Sequence, residues 1–256
     1  MFPTRLSVIT YNLWNTQRWP QREAALRQFV DVYRPDVLCV QELRPETAAA
    51  LDEALPDHRR VHDDFAGWIC EGNIYWNGRL LECLEHGAED VGIFEAHRRL
   101  FWARLKLIDR DRSIFVATVH YTHQGDEREL ETGRSPRLDQ TQRTIAALAR
   151  LVGPTEPALL AGDLNDPFLP TYALHDAGYR SCFAELGQLP PPTWPCIPTA
   201  NFVVGEQAVN QTIDWIVAND RLRAVAAAAP QCFAGDVAPS DHWPVQAVYE
   251  LCEDIA

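Results

Sequence analysis

Polar residues stand at the ends of apolar runs in several places, where packing alone gives them no reason to be. Pro157-Ala158-Leu159-Leu160 leads into Ala161-Gly162-Asp163-Leu164-Asn165, and Ser240-Asp241-His242-Trp243-Pro244 comes just before the last apolar run. The same pattern recurs at Ile9-Thr10-Tyr11-Asn12, Leu38-Cys39-Val40-Gln41-Glu42, Ala117-Thr118-Val119-His120 and Gln211-Thr212-Ile213-Asp214. Gathered at one edge of a core, these ends would form a cluster of acids, amides and imidazoles. A hard cation such as Mg²⁺ takes oxygen ligands, with water and phosphate completing its shell. Phosphoryl transfer in turn needs an activated water and neutralised phosphoryl oxygens. Asp214 lies within the apolar Ile213–Val217, where a charge requires a partner, and His242 is the obvious one. Simpler readings stand beside these. Asp163 and Asn165 could close an Asx-turn, Glu42 could be a solvated strand end, and His120 a hydrogen-bonded sheet histidine. His123, three residues further on, is expected to point away on an extended chain.

These residues must be positioned by strands. Leu6–Leu13, Asp36–Gln41, Trp68–Trp76, Arg79–His86, Leu100–Leu107, Ser113–Tyr121, Ala158–Ala161, Thr212–Ala218, Leu222–Ala229 and Trp243–Leu251 read as strands. Leu26, Phe29, Val30 and Tyr33 recur at helical spacing within Pro20–Arg34. Pro45–Leu55 and Thr171–Ala177 also read as helices. A further helix follows the charged segment Thr122–Arg134, with Ser135 as its cap, Pro136 at its first position and a buried stripe of Leu138, Thr141, Ile145, Leu148 and Val152. Phe183–Gly205 is Pro-rich and reads as loop. Many strands follow one another with no helix between them. That predicts an α/β protein of mixed, mostly antiparallel sheets with outer helices, rather than a doubly wound parallel sheet.

Composition narrows the class. The 256 residues suit one large domain spanning 1–256. No apolar run approaches the ~20 residues needed to span a bilayer. The start, Met1-Phe2-Pro3-Thr4-Arg5, lacks the pattern of a secretory signal. The seven cysteines include no CxxC spacing, so reduced, buried thiols and a cytoplasmic location are expected. The net charge of -13 disfavours extended contact with polymeric nucleic acid, although Arg128, Arg134, Arg137 and Arg143 could form a local basic patch. Arg137 and Gln140 share one side of a helix, either solvated or touching substrate phosphate. Trp14, beside a polar string, and Trp194, in the Pro-rich loop, could stack on a base or an apolar leaving group.

TYNLW at 10–14, PDVLCVQE at 35–42, TVHY at 118–121, GDLN at 162–165, TIDWI at 212–216 and SDHWPV at 240–245 resemble the endonuclease/exonuclease/phosphatase superfamily. The resemblance runs from residue 6 to about residue 251, and GDLN with SDHWPV is its most specific part. It implies a two-sheet α/β sandwich of mostly antiparallel strands with helices on the outer faces. It also implies a phosphodiester or phosphomonoester hydrolase using Mg²⁺, with Mn²⁺ as a possible substitute. Glu42 would be the main metal ligand, supported by Asp241, with Asn12 beside the metal to orient Glu42 and touch the phosphate. Asp163 would activate water and Asn165 would donate to a phosphoryl oxygen. His242, oriented by Asp214, would bond the phosphate or the nucleophile, and His120 would protonate the leaving oxygen, its ordinary pKa being ~6.5. Trp14, Arg137 and Trp194 are the candidate substrate contacts. Several abasic-site endonucleases carry an aspartate where Trp14 stands. Its absence makes a two-metal site less expected and places an aromatic ring beside the site.

Overall fold

The computed structural model describes residues 4–196 and 209–252. In chain order the first half comprises β1 (Arg5–Asn12), α1 (Glu23–Tyr33), β2 (Val37–Gln41), α2 (Pro45–Ala54), β3 (His58–Arg60), α3 (Gly67–Cys70), β4 (Gly72–Asn77), β5 (Leu81–Glu89) and β6 (Leu100–Leu107). The second half comprises β7 (Ser113–His120), α4 (Glu127–Thr132), α5 (Arg137–Leu151), β8 (Ala158–Asp163), α6 (Leu169–Asp176), β9 (Arg180–Ser181), α7 (Cys182–Glu185), β10 (Asp214–Ala218), β11 (Leu222–Ala228) and β12 (Val245–Leu251). They form two six-stranded sheets, ordered β11-β12-β1-β2-β4-β3 and β5-β6-β7-β8-β10-β9. Two neighbouring pairs are parallel, β1 with β2 and β7 with β8, each joined through helix. The remaining pairs are antiparallel. This is the expected two-sheet sandwich.

Strand alternation sorts the side chains into layers. Leu6 and Val8 of β1, Cys39 of β2, Val116 of β7, Leu159 and Ala161 of β8 and Ile216 of β10 meet between the sheets. Ile9, Tyr11, Leu38 and Val40 face outward against Leu26, Phe29 and Val30 of α1. Phe115, Ala117 and Leu160 pack outward against Ala147 and Leu148 of α5 and Leu174 of α6.

The inner layer ends in a polar plug. Gln41 Nε2 donates to Thr10 Oγ1 at 3.0 Å and to Thr118 Oγ1 at 2.8 Å, which joins the two sheets. The next inward positions beyond this plug are Asn12, His120 and Asp163, so the alternation that fills the core also aims these side chains.

Several local expectations are corrected. The segment before β4 forms the short helix α3, and the charged loop contains α4. Pro136 itself is the N-cap residue of α5, and the buried Ser135 hydroxyl makes no hydrogen bond. The buried face of α5 is Arg137, Gln140, Thr141, Thr144, Ala147 and Leu148, while Leu138 is 42% exposed. Polar anchors explain the rotation. Arg137 Nη1 donates to Thr122 O at 3.1 Å, and Gln140 Nε2 donates to Thr122 Oγ1 at 2.8 Å. The seven cysteines form no disulfide, but Cys70, Cys83, Cys232 and Cys252 are only half-buried. No helix among the described residues is long and apolar enough to cross a membrane.

Candidate active site

The topology brings the polar strings together. In parallel pairs both strands end at the same edge, so Asn12 lies level with Gln41 and His120 with Asp163. Antiparallel β10 starts there, which sets Asp214 opposite Asp163. The turn before β12 adds Ser240, Asp241 and His242. Its anchor is Ser240 Oγ, which donates to Asn12 O at 2.6 Å and accepts from His242 N at 3.2 Å.

A cleft of about 710 Å³ opens at this edge, and Asn12, Glu42, His120, Asp163, Asp241 and His242 all line it. Trp14, Asn165 and Trp194 line it too. Asp214 is fully buried behind His242 and holds its Nδ1 at 2.8 Å. The main chain here is shaped for the purpose. Trp14, Asn15, Glu42 and Asn165 all line the cleft with left-handed backbones, at φ of 54°, 39°, 52° and 50°. Such conformations cost energy outside glycine and persist where surrounding contacts hold them. Gly162 (φ 152°) is required, because a Cβ there would sit 2.0 Å from Val119 O.

Asp163 is the hub. Its Oδ1 accepts Asn165 N at 2.9 Å, so the Asx-turn does form. Its Oδ2 accepts Asn12 Nδ2 at 3.0 Å and lies 3.3 Å from His120 Nε2 and 3.8 Å from His242 Nε2. Burial and the nearby Asp214 charge raise the Asp163 pKa above the ordinary carboxylate range. Burial opposes the charge on His242, but Asp214, Asp241 and Asp163 around it prevail and raise its pKa. His242 is therefore an imidazolium at neutral pH. His120 is the reverse case. Burial and the neighbouring Arg98 and His242 push its pKa well below 6.5, so it is neutral. That corrects the expectation of a charged acid at His120: as a neutral ring it offers an N–H and no spare proton.

Asp163, Asp214 and His242 bring potential ligand atoms within 4.8 Å of one another. His242 Nδ1 is already engaged by Asp214, so this trio is better satisfied as a proton-holding chain than as a cation site. Glu42 and Asp241 suit a cation better. Their donors are oxygens, both line the cleft, and Glu42 adds to the burial that raises the Asp241 pKa. Two carboxylates lining one cleft fit a hard divalent ion. Asn15 Nδ2 donates to Glu42 Oε2 at 2.9 Å, and Asn12 Nδ2 lies 3.5 Å from Glu42 Oε1. Asn12 Oδ1 accepts Trp14 N at 2.9 Å, and its Nδ2 reaches both the Glu42 and the Asp163 carboxylates, which presents Asn12 as an orienting donor.

The substrate contacts divide. Arg137 is not in the cleft: it is 3% exposed, bonded to Glu129 and 3.6 Å from Asp166, so its charge is already used. Of the other candidate patch residues, Arg143 pairs with Asp139 and Arg128 lies over the Phe94 ring. Trp14 is 7% exposed with the Arg22 guanidinium over its ring, which leaves little surface for stacking. Trp194 lines the cleft near Asp241, and its side chain partly offsets the burial that raises the Asp241 pKa. Asn165 Nδ2 donates to Tyr121 O at 2.9 Å, which fixes its amide at the wall.

Sequence reasoning missed Asn15, Arg98, Gln124 and Gln211 and set His123 aside, yet all five line the cleft. Arg98 sits between Glu71 and Glu95, at 2.9 and 3.0 Å, in a loop with no strand-end signal to mark it.

A model of the Endonuclease/Exonuclease/phosphatase family matches residues 9–242. No curated protein sequence matches the chain. Among solved structures, D. rerio TDP2 complexed with a single-strand DNA product superposes with a TM-score of 0.79 at 18% identity, covering 96% of this chain and 99% of that one. An endonuclease/exonuclease/phosphatase from Bacteroides vulgatus gives 0.77 at 16% identity, with 97% and 100% covered. A mannosyl-6-phosphatase of Bacteroides thetaiotaomicron gives 0.73 at 19% identity, with 95% and 99% covered. At these identities the likeness is one of fold.

Proposed function

This chain belongs to the endonuclease/exonuclease/phosphatase family, and from its site we propose that it hydrolyses a small phosphoester with a divalent cation, by in-line attack of water. One observation carries the reading. A buried carboxylate, Asp163, with its pKa raised, lies within reach of a neutral and a cationic imidazole, in a cleft that also holds Glu42 and Asp241. A base of that kind takes a proton from water near neutral pH. Asn12 holds the Asp163 carboxylate in place for that transfer. His242, kept cationic by Asp214, neutralises charge growing on the phosphoryl oxygens. His120 donates its neutral N–H towards the phosphate or leaving oxygen, and Asn165 keeps its amide at the same wall. Glu42 and Asp241 would hold Mg²⁺ or Mn²⁺, with Asn12 and Asn15 orienting Glu42. When bound, that cation would draw charge from the phosphate and assist the leaving oxygen.

The rim supports a small substrate. Amides at Gln17, Gln124 and Gln211 suit hydrogen bonds to a neutral polar leaving group. Arg98 is the one arginine or lysine that lines the cleft among the described residues, and two glutamates share it. With a net charge of -13, this is a weak footing for a polyanionic chain. A nucleic-acid end is the second reading, favoured by the fold shared with the DNA-complexed TDP2.

The two readings separate in one assay. The purified chain, with Mg²⁺ or Mn²⁺, is given p-nitrophenyl phosphate, bis-p-nitrophenyl phosphate, sugar phosphates, nucleotides and single-stranded DNA. Turnover of small esters that changes little between roughly 50 and 200 mM salt supports the first reading. A DNA-end activity that falls steeply over the same range supports the second. Failure to hydrolyse any phosphoester with either cation refutes both.

A further inference from the structure

Arg22 is 1% exposed, at the start of α1 and outside every polar string the sequence displays. A guanidinium has five N–H donors, and here each one meets a backbone carbonyl. Nε donates to Gln17 O at 2.7 Å, and Nη1 to Leu13 O at 3.0 Å and to Pro239 O. Nη2 donates to Trp14 O and Asn15 O, both at 3.2 Å. The guanidinium carbon lies 5.0 Å from the Trp14 ring centre and 5.7 Å from that of Trp19.

The acceptors belong to two separate arms of the site. Asn15 sends its amide to Glu42 Oε2 at 2.9 Å. Pro239 precedes Ser240, whose Oγ lies 3.4 Å from Asp241 Oδ1. One side chain thus ties the loop that steers Glu42 to the turn that carries Asp241. We propose that Arg22 is a positioning residue that sets the spacing of Glu42 and Asp241, and with it the affinity of this pair for a divalent cation. The proposal rests on the reading of Glu42 and Asp241 as the cation's ligands.

Simple loop stapling would not require this residue type. The left-handed backbones of Trp14 and Asn15 turn successive carbonyls towards a single point, and a planar fork can meet them all. Lysine has three donors on a flexible stem and cannot. Burial draws the Arg22 pKa down to about 10, so it remains charged at neutral pH. Arg22→Lys therefore keeps the charge and removes the fork, which separates geometry from electrostatics. Groups that orient metal ligands typically govern affinity by about 10–100-fold.

The test measures Mn²⁺ binding to the whole chain by electron paramagnetic resonance, with turnover followed against Mn²⁺ concentration and folding checked by circular dichroism. Arg22→Lys is expected to weaken Mn²⁺ binding by about tenfold or more, with a smaller loss of kcat at saturating Mn²⁺. Asn15→Ala, which removes the amide on Glu42 and the acceptor for Gln17 N at a half-exposed residue but leaves the Arg22 fork in place, should shift binding in the same direction by less. Folded Arg22→Lys that binds Mn²⁺ as tightly as wild type overturns the proposal. Where Arg22→Lys does not fold, unchanged binding by Asn15→Ala overturns it. Wild-type chain that binds no Mn²⁺ refutes the cation reading itself, and this inference with it.

Discussion

Replacing Asp214 with asparagine should move the alkaline side of the pH profile more than it moves the fold. Asp214 Oδ2 stands 2.8 Å from His242 Nδ1, and both side chains are buried. At an effective dielectric of ~20, unit charges at this distance attract by about 6 kcal/mol, equivalent to about 4 pKa units. Burial opposes the imidazolium, so removing the aspartate charge lets burial act. Asp163 and Asp241, at 3.8 and 4.0 Å from Nε2, retain part of the support. Allowing half of the attraction to survive screening and relaxation, the His242 pKa should fall by ~2 units. The sign follows from the direction of the shift: a raised histidine is charged below its folded pKa and loses that charge as pH rises through it. Wild type should therefore keep activity well above the ordinary imidazole range, whereas Asp214→Asn should lose its alkaline limb ~2 units earlier, with a deficit of about tenfold midway between the two limbs that approaches ~100-fold above the wild-type limb. The assay is kcat/KM from pH 5 to 10 on a chromogenic phosphoester, with urea unfolding as control, because breaking a buried pair can cost ~3–5 kcal/mol. A uniform loss with the alkaline limb unmoved would refute the charged state assigned to His242.

Other consequences are more direct. His120→Gln keeps a neutral N–H donor, so both limbs of the profile should stay in place with a loss below about 100-fold; a vanished alkaline limb would restore His120 as the proton donor. Gly162→Ala should destabilise the fold by roughly 3 kcal/mol in urea unfolding, since its Cβ meets Val119 O at 2.0 Å; an unchanged midpoint would contradict the close approach of β8 to β7. EDTA should abolish turnover, with Mg²⁺ or Mn²⁺ restoring it. Glu42→Gln should raise the cation concentration needed for half activity, and an unaltered requirement would remove Glu42 from the cation site.

The sequence exposed what could not be explained by packing. Asn12, Glu42, His120, Asp163, Asp214, Asp241 and His242 each break an apolar run, and the structure gathers them through parallel strand ends and facing antiparallel starts. Strand limits were legible for the same reason: Leu100–Leu107 agrees end to end, and β7 stops one residue before the expected Tyr121. What stayed hidden depends on partners distant in sequence. The polar anchors at Thr122 turn α5 away from its apolar stripe. Arg137 reads as a surface arginine until Glu129 and Asp166 come near it. The protonation states of His120 and His242 differ because, with both rings buried, Asp214, Asp241 and Asp163 surround His242, whereas Arg98 and His242 itself face His120. Arg22 left one trace. It lies four residues before Leu26 and seven before Phe29, on the buried face of α1, where an arginine needs a reason.

Hydrolysis at this cleft depends, on the function proposed here, on Asp163 acting as the base. The direct measurement is turnover of a phosphoester by wild type and by Asp163→Asn in saturating Mg²⁺, with unfolding and Mn²⁺ binding followed in parallel. Asparagine keeps the shape and removes the proton acceptor. Turnover should fall by about 10³-fold, Mn²⁺ binding should persist, and stability should hold or rise, because the ionised form of a buried carboxyl with a raised pKa opposes folding. Near-wild-type turnover by folded Asp163→Asn would contradict the account.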